Sequence, residues 1–285
     1  MNRRIFLKIV DTVPYFLDNY QPSKNFLRSY YMKFPGIFKE YFLYHCKDTE
    51  ERHIQSIKRY PQVLTSIKLI HNEIVTIIKE VEQNYLGMYQ VNFPIDINLI
   101  VGGFGSNAYS HKQIIPNVTF ALEKLSPESS HLQAIIAHEL GHVTHNIISD
   151  KAGNDWSKVQ WNNPLIWLFQ EGAATHFSRK TSSGLPSSVY FSYDDNGDEW
   201  LEFASSHKKE IQLEFAKDLV KSSPQEIFRE WFSINGGKTF GFPRLAYFLG
   251  DLLFQEKVLQ VGEMNAIISW KDHNFEEVVN SWLEY

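Results

Sequence analysis

The segment Ala134–Ile148, AIIAHELGHVTHNII, constrains this chain more than any other, because one helix has to meet two demands. The pattern predicts a single helix from Pro127 to Ile148. Leu132, Ile136, Leu140, Val143 and Ile147 share a narrow apolar stripe at about 100° per residue. His138 and His142, four residues apart, point together to a different side, with Glu139 turned toward the space between them. A helix that is apolar on one side and carries imidazoles on the other is expected to be buried on both. The rest of the chain then has to wrap around it.

His138-Glu139-Leu140-Gly141-His142 is an H-E-x-x-H pattern. On a helix, two imidazoles one turn apart can meet one ion while the carboxylate reaches a water on it. The competing reading is a pair of satisfied core histidines. Catalytic zinc takes three protein ligands and a water, so a third ligand is needed. The single cysteine, Cys46, excludes both an internal disulfide and a cysteine ligand set, which leaves histidine and carboxylate. A third histidine in metzincin register is missing: that pattern needs Gly at 145 and His at 148, where this chain has His145 and Ile148. A later glutamate is the other solution, and WLFQEGAATHF (167–177) offers Glu171. Among Trp167, Leu168, Phe169, Ala173 and Ala174, a carboxylate is costly to bury unless it is paired or bound to metal. Gly172 and Ala174 leave room for close helix packing. A salt-bridged or exposed Glu171 is the alternative.

The 285 residues suffice for a real core, and 43% hydrophobic with 21% charged residues is an ordinary globular balance. The aromatic share of 15% predicts a core rich in Phe and Tyr. A formal charge of −5 gives no reason to expect nucleic acid or an anionic membrane as partner. No stretch has the ~18 apolar residues of a membrane span. Arg3 and Arg4 resemble the start of a signal peptide, but Lys8 and Asp11 break the apolar run, and a cytoplasmic location is expected.

Residues 3–45 read as helical, interrupted by Pro14, Pro22 and Pro35. From Glu50 to Tyr85 a helical period runs through Ile54, Ile57, Leu64, Ile67, Ile70, Ile74, Ile77, Ile78 and Val81, with Pro61 expected to interrupt it early. FPIDINLIVGG (93–103) and NVTFALEKL (117–125) read as strands. Ser126-Pro127, Asn163-Pro164 and Ser223-Pro224 each place a capping side chain before a proline at the first helical position. Residues 243–256 and 275–283 complete a helical half. The expected fold class is α+β: mostly helical, with a small β-sheet preceding the HExxH helix.

At this point the residues resemble a known family. His138-Glu139-x-x-His142 followed by Trp167-Leu168-x-x-Glu171-Gly172-x-Ala174 is similar to the gluzincin metallopeptidases, whose third ligand is a glutamate on a later helix. The EGxA step resembles the M1-type aminopeptidases, although there the glutamate lies closer and follows an Asn where this chain has Gln170. A nearer resemblance is to a bacterial group of predicted Zn-dependent proteases with HExxH, EGxA and a C-terminal GYxxG-like helix. Arg244 to Gly250, RLAYFLG, is similar to that last element. The resemblance spans about residues 95–256. The expected organisation is a helical N-terminal part over 1–92 and a zincin-like part over 93–285, packed as one unit. The resemblance implies one Zn2+ per chain on His138, His142 and Glu171, Glu139 as general base, Tyr247 as donor to the tetrahedral oxyanion, and a peptide or protein as substrate. A zinc hydrolase acting on another bond and a non-catalytic binding protein of the same fold are the rival readings. The oligomeric state is not readable.

Zincins hold a peptide as an added strand against a sheet edge. GGFGSNAYS (102–110) sits where that edge belongs, and Asn107-Ala108-Tyr109 resembles the edge strand of thermolysin-like enzymes; an ordinary glycine turn is the alternative. Gly103-x-Gly105-x-x-Ala108 imitates a dinucleotide fingerprint, but no amphipathic helix follows, so that reading is rejected. His145 is expected near the ligands or facing solvent rather than ligating. DDNGDE (194–199) lacks EF-hand spacing and reads as a solvated acidic turn after a flexible loop. Cys46 reads as an inert buried residue.

Overall fold

The chain enters the fold as a strand, not a helix. In the computed structural model, which describes residues 6–284, Lys8–Asp11 forms β1 and pairs in parallel with β2, Asp96–Ile100, in the register Lys8↔Asp96. Four residues with charges at both ends carry little helical or strand preference of their own. The open edge of β2, distant in sequence, supplies the hydrogen-bond partners and decides the conformation. Arg3 and Arg4 lie outside the described residues.

Helices α1 (Val13–Asn19), α2 (Lys24–Lys33) and α3 (Pro35–Glu40) follow, the last running into a π-helical turn over Tyr41–His45. Prolines 14 and 35 stand at helix starts, where a missing N–H costs nothing. Then α4 runs unbroken from Glu50 to Tyr89, capped by the Thr49 side chain. Pro61 lies inside it and does not end it, contrary to the expectation from sequence. Its ring is exposed to solvent, where water can take the carbonyl it leaves unpaired, and Ile67, Ile70, Ile74, Ile78 and Val81 hold the following turns in the core.

The sheet has the order β1-β2-β4-β3, with β3 at Ala108–Ser110 and β4 at Val118–Ala121. β4 is parallel to β2, and β3 is antiparallel to β4 as the outer strand. Both strands read from sequence are present but shorter than their apolar runs. Leu122–Lys124 leaves the sheet as a 3-10 turn, and residues 101–107 form a loop. No helix follows that loop, in keeping with the rejected dinucleotide reading. Around the sheet, Phe16 packs edge-on against Tyr30 and Tyr60 at 5.2 Å each, as the aromatic composition predicts.

Helix α5 spans Ser129–Lys151. It starts two residues later than the Ser126-Pro127 signal predicts, because the Ser126 hydroxyl is engaged by the Glu128 N–H (3.3 Å) and His131 Nδ1 (2.8 Å) in a turn ahead of the helix. The molecule divides into two compact units whose boundary, between Glu139 and Leu140, falls inside α5.

The second unit is helical: α6 (Pro164–Thr181), α7 (Val189–Ser192), α8 (Asp198–Ser206), α9 (Lys208–Lys221), α10 (Pro224–Ile227), α11 (Leu245–Val261), α12 (Glu263–Ile268) and α13 (Phe275–Glu284). Asn163 caps α6 through the Leu165 N–H (2.9 Å), and Ser223 and Glu226 form a capping box on α10, as their Asn-Pro and Ser-Pro signals predict. At Gly172 and Gly250, helices α6 and α11 pack backbone against backbone. A Cβ on Gly172 would lie 2.0 Å from the Gly250 carbonyl oxygen, and one on Gly250 would lie 2.3 Å from that of Leu168. The acidic stretch is only partly a turn. Asp194 accepts the Asn196 N–H at 2.8 Å, while Asp198 and Glu199 form the first turn of α8, where carboxylates offset the helix dipole. Among the described residues no helix is long and apolar enough to cross a membrane. The fold is a mostly helical α+β domain.

Candidate metal centre

Helix α5 is buried along its whole middle. Leu132, Ile136, Leu140 and Val143 are at most 1% exposed, and His138 and Glu139 on the other sides are also buried. Close packing of this kind holds side chains in fixed rotamers, which a metal site requires, while His142 stays partly exposed. One helical turn sets His138 and His142 side by side. In α6, Leu168, Phe169, Ala173 and Ala174 are buried around Glu171, and the Gly172–Gly250 contact locks that helix to α11.

These elements bring together the three residues the sequence singles out. One ligand atom from each of His138, His142 and Glu171 lies within 4.8 Å of the others. His142 Nε2 and Glu171 Oε2 are 3.6 Å apart. Tetrahedral zinc with bonds of about 2.0–2.2 Å needs neighbouring ligand atoms about 3.3–3.6 Å apart; the His142–Glu171 pair meets that spacing, and two imidazoles with one carboxylate are a donor set that suits the ion. Among the described residues this is the single cluster of three or more His, Cys, Asp or Glu with converging ligand atoms, and the stretch 194–199 forms none.

Glu139 is 8% exposed, and its Oε2 accepts the Ser110 hydroxyl at 3.1 Å. Ser110 ends β3, so the outer strand and Glu139 are joined directly. The 102–105 loop before β3 is held from two sides. The Tyr41 hydroxyl accepts the Gly103 and Gly105 N–H groups at 2.8 and 3.0 Å. The Glu123 carboxylate accepts those of Gly102 and Phe104 at 2.8 and 3.0 Å. Burial pushes the Glu123 carboxyl above its ordinary range against the pull of these N–H groups. The sequence reading missed Ser110, Tyr41 and Glu123. The alternation of NVTFALEKL, with Glu123 next to the inward Leu122, was the one available signal for a buried carboxylate.

Tyr247 lies in the first turn of α11, partly exposed, with the Arg244 guanidinium 4.1 Å above its ring. Arg244 also stands 5.3 Å from the ring of Tyr193. Burial opposes its charge, but Tyr247, Tyr193 and the Glu171 carboxylate outweigh it and hold the guanidinium pKa above its ordinary value. Glu171 is therefore close enough for its charge to act on Arg244.

His145 does not face solvent; three residues after His142, it stays within electrostatic reach of that side chain. It is fully buried, stacked on Trp270 at 4.3 Å, with Nε2 bonded to the Ile267 carbonyl at 2.8 Å. Desolvation lowers its pKa to about 3, so it is a neutral structural imidazole. Cys46 is buried with its thiol directed at the Gly103 carbonyl (3.5 Å), and burial raises its pKa.

No curated protein and no solved structure is significantly similar to this chain. A family model does match it, over residues 14–250, a span that includes the HExxH helix, Glu171 and the start of α11. The chain belongs to the family described as "Putative zinc dependent peptidase (DUF5700)".

Proposed function

We propose that this chain is a gluzincin-type zinc metallopeptidase that holds one zinc ion on His138, His142 and Glu171 and hydrolyses peptide bonds with Glu139 as general base. The observation that supports it most is the convergence of those three ligand atoms within 4.8 Å, on the helix that carries Glu139. When bound, zinc supplies Lewis acidity, lowering the pKa of water toward about 7 and polarising the carbonyl under attack. Glu139 takes the proton of the attacking water and later hands it to the leaving amine nitrogen. Ser110 orients the carboxylate by donating to its Oε2. The substrate backbone adds as a strand along β3, the outer strand that carries Ser110. The Tyr247 hydroxyl donates to the oxygen that becomes negative as the carbonyl turns tetrahedral.

Elemental analysis of protein purified without added metal is the first test. Near one zinc per chain is expected in the wild type and little in Glu171→Ala. Glu139→Gln should keep the zinc and slow cleavage of a peptide library by about 10²-fold or more. Zinc binding without cleavage of any peptide would move the reading to a zinc hydrolase of another bond. An empty wild type that takes up no zinc would leave a binding protein.

A further inference from the structure

Resting on the peptidase reading above, we propose that Arg244 receives a carboxylate of the substrate peptide, either the C-terminal carboxylate or an acidic side chain, on the Glu171 side of the metal centre.

Arg244 is a cation against two tyrosine rings, and among the described residues it forms no ion pair. The rings of Tyr247 and Tyr193 lie 4.1 and 5.3 Å from its guanidinium carbon. Rings stacked on the faces of a planar guanidinium leave its in-plane N–H donors to make hydrogen bonds, in the fork that matches a carboxylate. Among the described residues no carboxylate lies within ion-pair distance of Arg244, and the influence of Glu171 reaches it only across space. Arg179, in the same unit, shows what a structural arginine looks like: both its terminal nitrogens donate to Asp251, at 2.8 Å each. Keeping a half-buried guanidinium without such a partner is costly, and an incoming carboxylate removes the cost.

The backbone points the same way. Arg244 has φ of 63° and Tyr193 φ of 60°, two of the four non-glycine residues with positive φ among those described. Each costs about 1 kcal/mol or more that a glycine would not. The fold thus holds two large side chains in left-handed backbone in order to stack them beside Glu171.

The test uses the full chain carrying Glu139→Gln, so that binding is read without turnover, with zinc content measured in each preparation. The probes are N-acetylated alanine-rich pentapeptides: a neutral parent with a C-terminal amide, the same peptide with a free carboxylate, and amidated versions with one glutamate at each position in turn. Calorimetry should show at least one carboxylate peptide binding about tenfold or more tightly than the parent. Preference for the free terminus identifies a C-terminal pocket, and preference for a glutamate an acidic side-chain pocket. Adding Arg244→Gln should abolish the preference and leave the parent's affinity within about twofold. Arg244→Lys, which keeps the charge and loses the fork, should retain part of it; this variant carries the comparison if Arg244→Gln lowers the melting temperature. Equal binding of neutral and carboxylate peptides, no binding of any peptide, or a preference that survives Arg244→Gln would overturn the inference. So would an equal weakening of every peptide, which marks a purely structural clamp. Zinc-dependent cleavage of the neutral parent by wild type with no carboxylate preference sinks this inference alone. Failure to bind zinc or cleave any peptide sinks the peptidase reading instead.

Discussion

Glu139 and Glu171 are both carboxylates in apolar surroundings, and their neighbours separate their tasks. Glu171 faces two imidazoles, whereas Glu139 takes the Ser110 hydroxyl. Replacing Ser110 by Ala removes one orienting hydrogen bond. Peptide turnover should fall several-fold, by about the value of one such bond, with zinc content unchanged in the same protein. On the proposed mechanism, Tyr247→Phe should lower kcat by about 10²-fold with KM and zinc nearly constant, because an oxyanion donor acts only as charge develops. Unchanged kcat would remove Tyr247 from the reaction. His145 sets a pH effect on stability. Its folded pKa of about 3 lies below the ordinary value of 6.5, so the unfolded chain binds the proton and the folded one does not. Its neutral form is fully accommodated above pH about 6.5, and stability then drains away as pH falls toward about 3, at up to about 1.4 kcal/mol per pH unit. Urea unfolding from pH 7 to 4 should therefore show a steeper acid loss in wild type than in His145→Gln, which has no proton to take up.

At the level of elements, the contact between α6 and α11 decides whether Glu171 reaches its place. A methyl group on Gly172 has to displace the Gly250 backbone, which cannot yield without separating the helices. Gly172→Ala should cost about 2–4 kcal/mol by thermal or urea unfolding and weaken zinc binding as well. Gly87→Ala, in α4 with nothing within 4 Å of the added methyl, should instead stabilise by about 0.5–1 kcal/mol. Equal effects of the two would refute the packing account. Two elements also show where reading a sequence stops. Pro61 sits within a 40-residue helix because burial of the turns after it outweighs a locally missing bond. The four residues of β1 become a strand because β2, nearly 90 residues on, leaves its edge open.

At the scale of the whole molecule, the proposed ion would couple to the fold. An ion that binds only the folded chain stabilises it by mass action. Removing zinc with a chelator should lower the melting temperature of the wild type by several degrees, and re-adding zinc should restore it. Glu171→Ala should show neither response. The sequence by itself determined the class of fold, the HExxH register and the candidate third ligand, because helical periodicity and the cost of a buried carboxylate are local quantities. The helical placement of His138, His142, Glu139 and Glu171 was readable for that reason. Ser110 beside Glu139, the Tyr41 and Glu123 anchors of the loop before the edge strand, the buried packing of His145 and the tyrosine stack around Arg244 were decided only by the tertiary structure. Each depends on contacts between residues tens of positions apart, and local pattern carries no information about which distant backbone or ring will fill the space.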